Sequence, residues 1–412
     1  MSNSHIRLIA ATFAGSLSLA SCGGGGSSPI TPLAQSAQTG GGHNGIDIPL
    51  DNDWVRKAPS PLLTPTVVAT KLENPRGIEF GPDGRLYVAE GGLGGSRSTV
   101  GHCKQVPAPT GPYLGGFTGR ISAVDVTTGV RTTVARNLPS NQTAATSGGF
   151  VSGVADVAFL NGTLYALISG AGCSHGLAGT FNSIDSISSG GTATPIVNLS
   201  KFQKTHPVAH PDPSDFEPDG TWFSFVAVDN ALYAVEPNHG EVDVVGPDGS
   251  ISRLVDVSAT QGHIVPTALA FASSEFPGKD LKKGQFVLGN LNTFDPGSQG
   301  HAKVFRLTMH GQLHRIASRL TAVTGVAVHR GQIYALECFT GFYAPAPPVA
   351  HTGKVVRLAR DGSWRTIVDG LSFPTAMTFD DGNTLYISNR GFGQRTNRSG
   401  EIVKVQIPDN GD

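Results

Sequence analysis

Gly77-Ile78-Glu79-Phe80, a turn through Pro82-Asp83-Gly84, then Leu86-Tyr87-Val88-Ala89-Glu90: this stretch decides the fold. It pairs an apolar strand, a tight turn built on Asp-Gly, and a second strand centred on an aromatic residue. The same unit returns five times: Val154 to Phe159 with Leu164-Tyr165-Ala166; Phe225-Val226-Ala227-Val228 with Leu232-Tyr233-Ala234-Val235-Glu236; Thr267 to Phe271 with Gln285-Phe286-Val287-Leu288; Gly325 to Val328 with Ile333-Tyr334-Ala335-Leu336-Glu337; and Thr375 to Phe379 with Leu385-Tyr386-Ile387-Ser388-Asn389. The aromatics recur at intervals of roughly 50 to 80 residues, as in a chain of repeated supersecondary units. Two further strands follow in most units, as in Lys354 to Leu358, the turn Asp361-Gly362, and Trp364 to Val368. Four antiparallel strands per unit and six units predict an all-β fold, a six-bladed β-propeller of the NHL-like kind.

Composition agrees. The 412 residues include 54 Gly and 27 Pro, and only 15% are charged. Such a chain favours short strands and turns and excludes a helical bundle. Thirty Lys and Arg against 31 Asp and Glu leave a net charge of -1, with no basic excess for a phosphate backbone, so no nucleic-acid partner is expected.

A register argument predicts how the ring closes. The outer strand of a unit ends in an octet closing on Leu: Arg131 to Leu138, Leu313 to Leu320, Trp364 to Leu371. Pro65 to Leu72 fits the same octet but precedes the first unit, whereas the sixth unit runs out after Glu401 to Ile407. An N-terminal strand is therefore expected to complete the last blade, leaving no open edge.

Ahead of the repeats lies an address. Arg7 precedes an apolar stretch from Leu8 to Ala20 that ends in Leu19-Ala20-Ser21-Cys22. The pattern resembles a bacterial lipobox: residues 1–22 read as a lipoprotein signal peptide, with Cys22 lipidated. Residues 23–55, Gly/Ser-rich, read as a flexible tether with a reach on the order of 30 Å. The propeller occupies 56–412. This predicts an extracytoplasmic protein of the periplasm or cell envelope, touching the membrane through its N-terminal lipid. Cys103, Cys173 and Cys338 form no CxxC pair, and Cys103 and Cys173 follow the second strands of consecutive units, which makes them the candidate disulfide.

Asn74-Pro75-Arg76-Gly77-Ile78-Glu79-Phe80-Gly81-Pro82-Asp83-Gly84-Arg85-Leu86-Tyr87-Val88-Ala89-Glu90-Gly91-Gly92 resembles the opening of the ScyD/ScyE family of exported NHL-like propellers. Val265-Pro266-Thr267-Ala268 and Pro374-Thr375-Ala376 to Ser388-Asn389-Arg390-Gly391 look like its later signatures, so the resemblance spans roughly 62–407. Asp215 to Trp222 departs from it, and Phe276 to Gly284 lengthens one hairpin. The resemblance implies the fold and no settled activity.

Long insertions fall on one side of the predicted ring: Gly91 to Gly119, Ser169 to Thr180, Lys201 to Trp222, Leu291 to Ala302, Phe339 to Gly353 and Gly391 to Ser399. That face and the axial channel mouth are the expected site for a small molecule or protein partner. Three residues past the second-strand aromatic stand Glu90, Glu236, Glu337 and Asn389, with Asn290 one place later in another unit. With Arg390 these are the binding candidates, and Glu90, Glu236, Glu337 and Asn389 are the metal candidates, because equivalent ring positions converge as hard-cation ligands must. The same position also suits a structural role, bonding backbone amides. Related six-bladed lactonases and lyases hold calcium with such groups, so a calcium-dependent hydrolase or lyase is the alternative to a binding protein. A quinone-dependent sugar dehydrogenase fits the blade count but lacks a recognisable quinone signature. Gly172-Cys173-Ser174-His175-Gly176 matches G-x-S-x-G without the helix such a nucleophile turn needs. His206, His210, Asp212, Asp215 and Glu217 share one loop at no standard metal spacing.

Overall fold

The structure, a computed structural model, describes residues 61–273, 281–292, 296–341, 349–393 and 397–408. Leu62–Asp412 form one compact unit. The signal peptide, Cys22 and the tether lie outside the described residues, as do parts of the insertions at 276–284, 291–302, 339–353 and 391–399.

Six antiparallel sheets make six blades. Their innermost strands are Pro75–Phe80, Val154–Leu160, Ser224–Val228, Pro266–Ala272, Val323–His329 and Ala376–Phe379. Each pairs with the aromatic-centred strand of its unit, for example Glu79 opposite Tyr87 and Ala327 opposite Tyr334. The fold is the six-bladed propeller that the repeat predicts.

Between each pair of neighbouring blades lies one apolar cluster. Ala89, Ile121 and Ala123 of blade 1 meet Val157, Ala166 and Ile187 of blade 2. Leu336, Val355 and Val368 of blade 5 meet Leu385, Ile387 and Val403 of blade 6. At roughly 1.5–3 kcal/mol per fully buried large aliphatic side chain, these seams supply most of the driving force. No blade could bury its two faces alone, which is why the repeat must close into a ring.

Closure follows the octet. Thr66–Leu72 pairs with Gly400–Gln406 as the outer strand of blade 6, with Thr66 opposite Lys404 and Leu72 opposite Gly400.

Blade 1 departs from expectation. Its outer pair runs Leu114–Val124 with Arg131–Gln142, and Val151–Ser152 adds a fifth strand. Residues 114–119, expected as loop, are strand. Glycine makes that possible: a Cβ on Gly115 would stand 2.6 Å from the His175 carbonyl oxygen, so only glycine lets the extension lie against the insertion of blade 2. The insertion at 201–222 likewise begins in a short helix, Leu199–Thr205, capped by the Asn198 side chain, which accepts from the Lys201 N–H at 2.8 Å.

Candidate functional site

The carboxylate and amide positions read from the sequence hold the blades together. Glu90 Oε2 accepts the Glu73 N–H at 2.6 Å, and its other oxygen accepts the Ser122 hydroxyl, with Arg120 and Arg131 nearby at 3.6 Å. Glu236 accepts Thr221 N–H at 2.9 Å and His239 N–H at 2.6 Å. Glu337 accepts Thr321 N–H at 2.6 Å and faces Lys354 at 3.3 Å. Asn389 accepts Ser372 N–H at 2.9 Å and donates to Glu401 at 2.7 Å. In each case one amide, that of Glu73, Thr221, Thr321 or Ser372, belongs to the chain just before the inner strand of the same blade. The group is a latch fastening each blade's entry to its second strand. Asn290 does a related job, donating to the Ile264 carbonyl and accepting from Lys303 N–H, each at 2.7 Å. Arg390 lies exposed at 3.3 Å from Glu401. Both oxygens of Glu90 and of Glu236 accept a protein N–H or O–H, while Glu337 Oε2 accepts no hydrogen bond and faces the Lys354 ammonium at 3.3 Å, so these side chains offer no converging set of free oxygens for a calcium ion. Among the described residues, no group of three or more His, Cys, Asp or Glu is arranged to hold a metal.

The loop motifs resolve as packing. A disulfide joins Cys103 to Cys173 with Cα atoms 6.3 Å apart, tying the first two insertions together. Beneath it, buried Ser174 donates its hydroxyl to Asp219 at 2.7 Å, and Lys204 Nζ reaches the same carboxylate at 2.5 Å. Buried His175 faces Glu217 at 3.1 Å and stacks on Tyr113, whose hydroxyl donates to Glu217 at 2.6 Å. Burial works against charge on His175, but Glu217 and Asp219 outweigh it and raise its pKa. Ser174 is bonded to a carboxylate rather than to His175, so the G-x-S-x-G segment has no nucleophile geometry. The 206–217 loop does not gather its polar residues: Glu217 turns to His175, Asp215 to His263 at 3.1 Å, and Asp212 to Ser214 at 2.6 Å.

The feature that sequence reading missed lines the axis. Near the long-loop end of four inner strands a hydroxyl donates into the backbone of the next blade. Ser224 donates to Thr267 O at 2.6 Å, Thr267 to Val323 O at 2.6 Å, Thr324 to Pro374 O at 2.9 Å, and Thr375 to Pro75 O at 2.7 Å. Blades 1 and 2 break this relay. There the corresponding residues are Arg76 and Ala155. Arg76 instead donates through its guanidinium to the Val151 carbonyl, and Asp156 accepts the Phe225 N–H at 3.0 Å. Gly77 is glycine for the same reason: a Cβ there would stand 1.6 Å from Asp156 Oδ1.

A second substitution accompanies the break. Opposite the second-strand aromatic, or Val287 in blade 4, the inner strands carry Ala158, Val226, Ala270, Ala327 and Thr378, but Glu79 in blade 1. Arg76, Glu79 and Asp156 therefore place charged groups on one wall of an axial channel of about 570 Å³, which also touches Ser169, Thr221, Thr324 and Thr375 and carries Asp380 and Asp381 from blade 6. That volume suits a small molecule. Burial, then the Asp156 charge, raises the Glu79 carboxyl to about 8, with a Phe159 backbone hydrogen bond offsetting part of the rise. Burial raises Asp156 to about 7 against hydrogen bonds from Phe225 and Val157. The wall can thus present a neutral carboxylic acid, a carboxylate and a guanidinium within one cavity. The signal was available: aligning the six repeats position by position marks 76, 79 and 156 as outliers. The sequence reading instead sought residues that the repeats share.

No family model and no curated protein matches the chain in sequence. Solved structures similar to it include a structural-genomics protein of unknown function from Bacteroides thetaiotaomicron, at 13% identity and a TM-score of 0.51 over 83% of this chain and 72% of that one. A gluconolactonase from Xanthomonas campestris is 13% identical with a TM-score of 0.43, covering 85% of this chain and 100% of its own. The PQQ-bound aldose sugar dehydrogenase from Streptomyces coelicolor is 14% identical with a TM-score of 0.49, covering 85% and 99%. At such identities the likeness is one of fold, and propellers of this fold carry unrelated chemistries.

Proposed function

We propose that the chain is a lipid-anchored, extracytoplasmic propeller of the ScyD/ScyE type that binds a small polar molecule in its axial channel, entered from the long-loop face. One observation carries the channel reading: Arg76, Glu79 and Asp156 all sit where the inner-strand repeat is broken, on one wall of the cavity. A structural device would repeat around the ring, as the latches and hydroxyls do. The anchor rests on the sequence at Leu19 to Cys22 and the tether behind it. A thermal-shift survey of polar metabolites tests the channel. Glu79→Ala installs the residue that three other blades carry, so it should fold normally and lose the ligand's stabilisation. If every stabilising compound acts equally on Glu79→Ala, the channel is not the site.

A second reading, a hydrolase or lyase, has one observation in its favour. A protonated Glu79 near an ionisable Asp156 is the acid and base pair that such reactions require, both poised near neutral pH. Turnover of a lactone or ester panel that disappears in Glu79→Gln would favour it.

A further inference from the structure

Arg76 presents a buried cation with little to neutralise it. It is 7% exposed and lines the channel. Its guanidinium donates to the Val151 carbonyl and lies 5.6 Å from the Phe392 ring. Among the described residues, no carboxylate forms an ion pair with it. The free thiol of Cys338, buried nearby, is pushed by its own burial to about 12, so it supplies no negative charge at neutral pH. A buried guanidinium without a counter-charge is costly, and burial lowers the Arg76 pKa to about 10. Five N–H donors arranged as a fork match a carboxylate or a phosphate two at a time.

Two further residues that line the cavity carry buried hydroxyls without partners. The Ser169 hydroxyl, in a residue 1% exposed, has none, and neither does the buried Thr221 hydroxyl. Both residues line the channel with Arg76, and buried hydroxyls left unbonded are uncommon in folded proteins. Asp156 and Glu79 lie further along the axis; at about 3.3 Å per strand residue, Glu79 stands roughly 10 Å beyond Arg76. The cavity is therefore polar along its length and cationic at its loop end.

We propose that the loop end of the channel is a subsite for the anionic group, carboxylate or phosphate, of a polyhydroxylated small ligand. Arg76 grips the anion as a fork, Ser169 and Thr221 donate their spare hydroxyls, and Asp156 with Glu79 meets the ligand's hydroxyl groups. The proposal rests on the channel reading above and adds the charge of the ligand. A carboxylate is favoured by the planar fork and a phosphate by the extra donors, and the test separates them.

The test is titration calorimetry on the full chain with glucuronate, glucose 6-phosphate, inorganic phosphate and neutral glucose. Arg76→Thr restores the residue found in blades 4 to 6 and should keep the fold; Arg76→Lys keeps the charge without the fork. The expected result is saturable binding of glucuronate or glucose 6-phosphate, at least tenfold tighter than glucose. Arg76→Thr should weaken it tenfold or more, Arg76→Lys by an intermediate factor, and Ser169→Ala by severalfold. Phosphate alone competing with glucose 6-phosphate identifies the phosphate form; competition by acetate with glucuronate identifies the carboxylate form. Glucose bound as tightly as the anions, with Glu79→Ala weakening it and Arg76→Thr not, overturns the anionic subsite while leaving channel binding intact. If none of the four probes binds, the proposal fails as well; should Arg76→Thr not fold, an unchanged affinity in both Arg76→Lys and Ser169→Ala overturns it.

Discussion

The Thr375 hydroxyl donates to the Pro75 carbonyl oxygen at 2.7 Å, joining the sixth blade to the first across 300 residues of sequence. It is the last link of the hydroxyl relay and closes the ring together with the outer strand at Thr66–Leu72 and the Ser388 hydroxyl, which donates to the Arg76 carbonyl at 2.7 Å.

Thr375→Val keeps the shape and removes the donor, leaving the Pro75 carbonyl buried without this partner. The expected cost is about 1–3 kcal/mol, and Thr375→Ser should recover most of it. Urea unfolding of the three proteins measures this, and equal midpoints for wild type and Thr375→Val would show that the relay contributes nothing.

Deleting 62–72 removes the outer strand of blade 6 and exposes Gly400–Gln406 as an open edge. Leu72 and Ala69 also leave the seam between blades 6 and 1. The loss should exceed about 5 kcal/mol, a large part of a typical domain's margin, and promote aggregation. Circular dichroism melts and light scattering would report it; a deletion protein that melts like the parent contradicts the closure.

Stability should fall as pH rises from about 5 to 8. Glu79 is raised to about 8, Asp156, Glu236 and Glu241 to about 7, and Asp185 to about 6, in every case chiefly by burial. Unfolded carboxyls release their protons near pH 4, so over this window the folded chain holds protons that the unfolded chain has lost. More protons on the folded state means that raising the pH favours unfolding. Glu79→Gln removes one such group and should flatten the slope, gaining on the order of 1–3 kcal/mol at pH 8 relative to wild type. Melting temperatures at pH 5, 6, 7 and 8 for both proteins check the sign, which a rising wild-type curve would reverse.

Glu236→Gln should destabilise, because both oxygens now accept N–H groups and the amide nitrogen it introduces cannot accept. About 1–3 kcal/mol is expected. Chelation by EDTA should leave the melting temperature unchanged, since the carboxylate oxygens of Glu90 and Glu236 already accept protein donors. A chelator-sensitive melt restored by calcium would return the ring to the metal role that its spacing suggests.

Much of the architecture was legible because a propeller writes its period into the chain. Tyr87, Tyr165, Tyr233, Tyr334 and Tyr386 mark the second strands, and the octet ending at Leu72 announces the closure long before its partner strand, Gly400–Gln406, is reached. The site was not legible in the same way. Glu90, Glu236, Glu337 and Asn389 were conspicuous for their shared position, yet a shared position in a ring is what a structural latch also produces. Glu79 was read as one more strand residue, and Arg76 and Gly77 passed as part of a motif. Residues 114–119 read as loop because their glycines break the strand pattern, and only the His175 backbone lying against them explains why glycine is needed.

By itself, then, the sequence determined the number of blades and the pairing of first and last strands, since each depends on local patterns repeated along the chain. Tertiary structure decided which polar groups are occupied and which are available. Whether a buried carboxylate meets a backbone amide or an open cavity depends on where the next blade's chain passes, and that is fixed only once six sheets pack around one axis.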